Sequence, residues 1–280
     1  MSAADFGICL HRPESVGDRT VVHATGLSFQ LVRILVDGVQ QPNRDEKIAV
    51  DFEVAAEVQG VTPAGKPTKI KLVIRKAQAG PETPSEALLP ADAVVVVERV
   101  NGKTAFVDDK GAAYPKPVHQ ALSIVFSIGD GSTNDDQVFG TNEKKKPGDT
   151  WPVAADFAVQ KLRDEGLPVD LANVKGTVSF LGLVKDGGVE CQNLSASMQM
   201  KDVAFPLPRG LKTTSSNLEI VFAGHFPVDI TKPRTQQSMS MDTQVEAAGK
   251  VPGPDGTEKA VSFTMTMKRR AELFITPAAK

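Results

Sequence analysis

Two regions of this 280-residue chain alternate apolar positions with others for longer than any helix or turn-rich segment sustains. Ile48, Val50, Phe52, Val54, Ala56 and Val58 alternate with Ala49, Asp51, Glu53, Ala55 and Glu57. Met239, Met241, Thr243, Val245 and Ala247 are answered across a Pro/Gly-rich loop by Val261, Phe263, Met265 and Met267. Successive strand side chains point to opposite faces, so a period of two over about ten residues dictates a half-buried β-strand. The last run keeps its parity through Ala271, Leu273 and Ile275. Strands of roughly 15 residues belong to curved sheets or open barrels rather than flat sandwiches.

Turn chemistry divides the remaining chain into similar pieces. Ile70, Leu72 and Ile74 return after Pro63-Ala64-Gly65-Lys66-Pro67 as the second strand of a hairpin. Asn101-Gly102, behind the β-branched Val94-Val95-Val96-Val97, is the strongest two-residue hairpin signal. Asp186-Gly187-Gly188 joins strands at 177–184 and 189–202. Gly26 interrupts the apolar region 21–36, which predicts two strands or a bulge there. The proline-rich stretch 79–90 reads as a loop with one helical turn at residues 85–88. A short helix is expected over 117–128, where Val118, Leu122, Val125 and Phe126 fall at helical spacing behind Pro117. Residues 154–166 read as a second helix stopped at Gly166, or as a strand and loop.

The expected fold is therefore all-β, with long curved antiparallel strands forming two similar half-barrels or an open barrel, and one or two short helices. The halves divide as 1–146 and 147–280, a pseudo-repeat or one continuous domain. Between them stands Lys144-Lys145-Lys146-Pro147-Gly148-Asp149-Thr150-Trp151, with the only tryptophan of the chain. Gly148 and Asp149 supply a turn there, and Trp151 a large apolar anchor for the second half.

Charge and motif content exclude more functions than they support. Lys and Arg number 32 against 34 Asp and Glu, well mixed, so no basic face invites nucleic acid. No window approaches the roughly 18 apolar residues of a membrane helix. His11, His23, His119 and His225 show no metal or catalytic spacing, and no serine lies in a Gly-x-Ser-x-Gly elbow. The reading is a non-enzymatic protein without a cofactor. Asp130, Ser132, Asn134 and Asp136 present oxygens at alternate positions, as a calcium loop does, but lack its glycine and closing glutamate; a solvated acidic loop is the plainer expectation. Cys9 and Cys191 are either separate buried thiols or a disulfide, the latter requiring an oxidising compartment.

The methionines are the most suggestive residues. Met198 and Met200, Met239 and Met241, and Met265 and Met267 occupy alternate strand positions, which suits either a core poor in aromatics or a deformable apolar cavity. The expected partner is an apolar small molecule or lipid. The alternative is an assembly protein that pairs with copies or partners through strand edges.

Gly148-Asp149-Thr150-Trp151, Val174-Lys175-Gly176-Thr177, Asp186-Gly187 and Cys191 together resemble a family of uncharacterised exported bacterial β-proteins, in which a Lys/Pro-Gly-Asp-x-Trp element precedes the second half. The resemblance covers residues 117–200. It implies a curved sheet or open barrel and an extracytoplasmic location, in the periplasm or at the cell surface, and carries no catalytic residues. The chain as given has no signal peptide; Met1-Ser2-Ala3-Ala4-Asp5 fits a mature exported protein or an ordinary cytoplasmic start equally.

Overall fold

In the computed structural model, which describes residues 5–129, 135–164, 166–208, 210–253 and 256–278, the alternating stretches form one antiparallel sheet of 13 strands. In chain order these are β1 (Arg19–Val36), β2 (Val39–Gln40), β3 (Arg44–Val61), β4 (Pro67–Gly80), β5 (Glu86–Ala87), β6 (Val94–Val100), β7 (Lys103–Val107), β8 (Thr150–Pro152), β9 (Val174–Asp186), β10 (Val189–Lys201), β11 (Leu211–Pro227), β12 (Gln236–Pro252) and β13 (Glu258–Pro277). Their spatial order is β7-β6-β4-β3-β1-β13-β12-β11-β10-β9-β8, with β2 added to β1 and β5 to β4. The path does not return on itself, so the sheet is open and barrel-like, as expected. The first and last long strands, β1 and β13, meet at its centre, in register from Thr20 opposite Pro277 to Val36 opposite Val261.

Alternation gives this sheet two unlike faces. The inner face carries both apolar cores. Phe52, Val54, Leu72, Ile74, Val95 and Phe106 form the first, toward the β7 edge. Trp151, Phe180, Leu194, Met200, Phe222 and Phe226 belong to the second, toward β8. Each fully buried side chain of this size stabilises the fold by about 1.5–3 kcal/mol relative to exposure.

Helices cover each core. α1 (Lys116–Val125) buries Val118, Ala121, Leu122, Ile124 and Val125, with proline in its first turn where no N–H is needed. α2 (Asp135–Phe139) and α3 (Ala155–Asp164) lie over the second core through Val138, Ala158, Val159 and Leu162. Gly166 ends α3 as the glycine rule predicts. At φ +79°, its N–H bonds Arg163 O and that of Leu167 bonds Leu162 O, the paired bonds of a Schellman stop.

Two local expectations are corrected. β1 runs through Gly26 without a break or register shift. Its glycine admits a helix rather than a bulge, because a Cβ there would lie 2.6 Å from Ile124 Cγ2 and 2.8 Å from Val125 Cγ1. The helical turn expected at 85–88 is instead β5, whose Ala87 pairs with Gln78 of β4. Asn101-Gly102 does make the tight β6–β7 turn, with φ of 49° and 78°.

The N-terminal segment does something the sequence did not announce. Phe6 bridges to Lys145 and packs edge-on to Phe180, while Gly7 O accepts from Gln192 Nε2. Farther along, Arg12 Nη2 donates to Pro227 O at 2.8 Å, and the Glu14 N–H bonds Gly65 O in the β3–β4 turn. This strap runs from one side of the sheet to the other before entering β1. The Asp136 carboxylate holds its middle, accepting from the backbone N–H groups of Leu10 at 2.5 Å and His11 at 3.1 Å.

Candidate functional site

Register places the six strand methionines on the inner face. Reading across β10, β11, β12, β13 and β1, one row is Met198, Ile220, Met241, Arg269 and Ser28. The next is Met200, Leu218, Thr243, Met267 and Gln30, and Met265 follows between Val245 and Val32. Six of the chain's seven methionines thus share one surface.

They do not share one environment. Met198 and Met200 are 6% and 0% exposed and belong to the second core, and Met241 packs against its margin. Met239, Met265 and Met267 are half-buried, as are Val32, Ile34 and Phe263 beside them. Met265, Met267, Val32, Ile34 and Phe263 form a stripe along the β1/β13 seam, continuing from the part that α1 covers at Gly26, while Met239 lies apart on β12 between Phe222 and Ala271. Thioether chains on a sheet make a surface that repacks against irregular apolar shapes at low cost.

Polar groups stand at one end and one flank of this stripe. Gln30 Nε2 reaches Met265 Sδ at 3.6 Å. Arg269 donates through Nε to Ile124 O at 3.2 Å, at the C-terminal end of α1, where a cation suits the helix dipole. Burial pushes its guanidinium below the ordinary arginine value.

Two depressions open on the sheet. One, of about 320 Å³, lies among Arg19, Ala55, Glu57, Lys71 and Val73, and the other, of about 330 Å³, among Leu27, Phe29, Lys47, Lys268 and Arg270. Both lie on the outer face, and neither is lined by a methionine.

Gly148, Asp149 and Trp151 lie at the start of the second core. The Lys146 N–H donates to Asp149 Oδ2 at 2.7 Å across the turn, in which Gly148 adopts φ +95°. Gly148 N–H and Asp149 O then bond the two sides of Phe180, fixing the turn to β9. Trp151 is 6% exposed and its Nε1 donates to Phe139 O at 2.9 Å.

Cys9 and Cys191 are free rather than bridged. The Cys9 thiol turns to His11 O at 3.3 Å, whereas Cys191 faces Thr235 Oγ1 at 3.8 Å. Of the calcium-like loop, Asp130, Ser132 and Asn134 lie outside the described residues, and Asp136 uses its carboxylate on the strap. Among the described residues no group of three or more His, Cys, Asp or Glu is placed to hold a metal ion. His225 Nδ1 and Thr235 Oγ1 lie 2.9 and 2.7 Å from Asp186 Oδ2, and the hydrogen bonds from His225 and then Thr235 hold that carboxyl below its usual range. His23 and Lys76 meet Asp51 on the outer face. No helix among the described residues is long and apolar enough to cross a membrane.

No family model matches this chain, and no curated protein matches it in sequence. Among solved structures it is similar to lipovitellin, studied for its lipid–protein interactions, at 12% identity and a TM-score of 0.33, over 95% of this chain and 26% of that one. The chain therefore spans about a quarter of the lipovitellin chain. It is also similar to an outer membrane channel from Pseudomonas putida, at 9% identity and a TM-score of 0.19, over 95% of this chain and 98% of that one. Similarity at this level says nothing of what the chain binds.

Proposed function

We propose that this protein is a non-enzymatic binder of an apolar ligand or lipid, working outside the cytoplasm of a bacterium, with the methionine stripe as its contact surface. The observation that carries the reading is the gathering of six methionines on one face, four of them half-buried outside either core's buried set, with Met265 and Met267 along the β1/β13 seam. Two rigid, helix-covered cores flank this adaptable strip, an arrangement that holds an apolar molecule without reorganising the fold. The extracytoplasmic location rests on the resemblance of residues 117–200 to exported proteins.

Recognition through strand edges has less to work with. The edge strands are β7, of five residues, and β8, of three, and edges this short are poor templates for another chain. The reading therefore places binding on the face. Organic extraction of protein purified without detergent, followed by mass spectrometry, tests it: a stoichiometric apolar molecule supports binding, and its absence together with failure to take up any added lipid refutes it.

A further inference from the structure

The methionine stripe is not uniformly apolar, and Arg269 in it has no carboxylate paired with it among the described residues. Arg269 sits in the row Ser28, Arg269, Met241, flanked along β13 by Met267 and Ala271, so its immediate neighbours on the inner face are all uncharged. One of its five N–H donors goes to Ile124 O, and among the described residues no carboxylate pairs with it. Glu46, on the same face, stands two strands away and accepts from Gln120 Nε2 of α1. Burial lowers the pKa of Arg269 from the ordinary arginine value.

A half-buried guanidinium with most of its fork unspent is costly unless something pairs with it. The surface around it states what that is. Below Arg269 the inner face continues down β13 as Met267, Met265 and Phe263, and down β1 as Gln30, Val32 and Ile34. At about 3.3–3.4 Å per residue, the run from Arg269 to Phe263 is roughly 20 Å long, the length of an extended long-chain acyl group. Ser28 adds a hydroxyl beside the charged end. Arg269 is thus the cation at the head of an apolar track whose outer flank, on β3, carries Glu46 opposite Gln30 and Arg44 opposite Val32.

We propose that Arg269 is the head-group anchor of this surface and that its ligand is a single-chain amphiphile ending in a carboxylate, a long-chain fatty acid. One planar guanidinium matches one carboxylate through two parallel N–H···O bonds. A track about one acyl chain long, headed by one guanidinium, matches a single-chain carboxylate. This inference rests on the apolar-ligand reading above and names the ligand class for it.

The test compares submicellar palmitate with 1-hexadecanol, which has the same chain and no charge, on the wild type, Arg269→Gln and Arg269→Lys. Gln keeps an N–H donor for Ile124 O while removing the charge. The wild type should bind palmitate more tightly than hexadecanol. Arg269→Gln should weaken palmitate about tenfold or more and leave hexadecanol unchanged, with Arg269→Lys between. Equal palmitate binding by wild type and Arg269→Gln overturns the anchor while leaving the apolar reading intact. Failure of the wild type to bind either compound removes both. Should Arg269→Gln not fold, the wild-type preference for palmitate over hexadecanol decides alone.

Discussion

Ile124 rests on the bare Cα of Gly26: a methyl group at that glycine would stand 2.6 Å from Ile124 Cγ2 and 3.1 Å from the Arg270 carbonyl oxygen. The contact sets the height of α1 above the seam and, through Ile124 O, the position of Arg269. Gly26→Ala inserts a methyl into this packing and should cost about 1–3 kcal/mol, read as a lowered denaturant midpoint. Gly7→Ala, where the added carbon meets nothing within 4 Å, should leave the midpoint within about 0.5 kcal/mol of wild type. Equal effects at both positions would mean that α1 does not dock where described.

Trp151 joins the halves by packing, with one polar bond. Trp151→Ala should destabilise by about 3–5 kcal/mol, whereas Trp151→Phe keeps much of the body and loses the bond to Phe139 O, costing less. Thermal unfolding of the two variants side by side measures the difference. An alanine variant as stable as wild type would show that Trp151 does not anchor the second half.

How much of this was legible in the sequence follows from the range of each interaction. Long alternation fixed the strands of both large hairpins, and Asn101-Gly102 and Gly166 marked a turn and a helix stop, because those signals are local. Gly26 misled for the same reason: in a strand it suggests a bulge, and only a helix arriving from residue 124 reveals its purpose. Likewise the strap was invisible, since its anchors at Asp136, Pro227 and Gly65 lie far from it in sequence. Parity along each strand already put each methionine pair on one face, but that the three pairs share a face depends on cross-strand register. Arg269 carried no signal at all, being one more basic residue in a basic run until Met241 and Ser28 became its neighbours.

Asp186 gives the fold a small acid sensitivity. Its carboxyl is held below the usual range by His225 and Thr235, so the unfolded chain takes up its proton first as pH falls. Its contribution is fully present above the unfolded value of about 3.9 and is lost as pH drops through the lower folded value. For a pair this exposed the contribution is no more than about 1 kcal/mol. Urea unfolding should therefore show Asp186→Asn less stable than wild type at pH 7, with the gap closing near pH 3. A gap of the same size at both pH values would contradict the assignment.

Nile red, an uncharged dye that brightens in apolar surroundings, tests the methionine stripe apart from Arg269. Titrated into the wild type and into a Met265→Gln/Met267→Gln variant that unfolds at a similar denaturant concentration, it should bind the first saturably and the second about tenfold or more weakly, since two apolar contact residues are lost. Saturable binding of equal strength to both proteins would show that the stripe along the β1/β13 seam is not where this protein holds an apolar ligand.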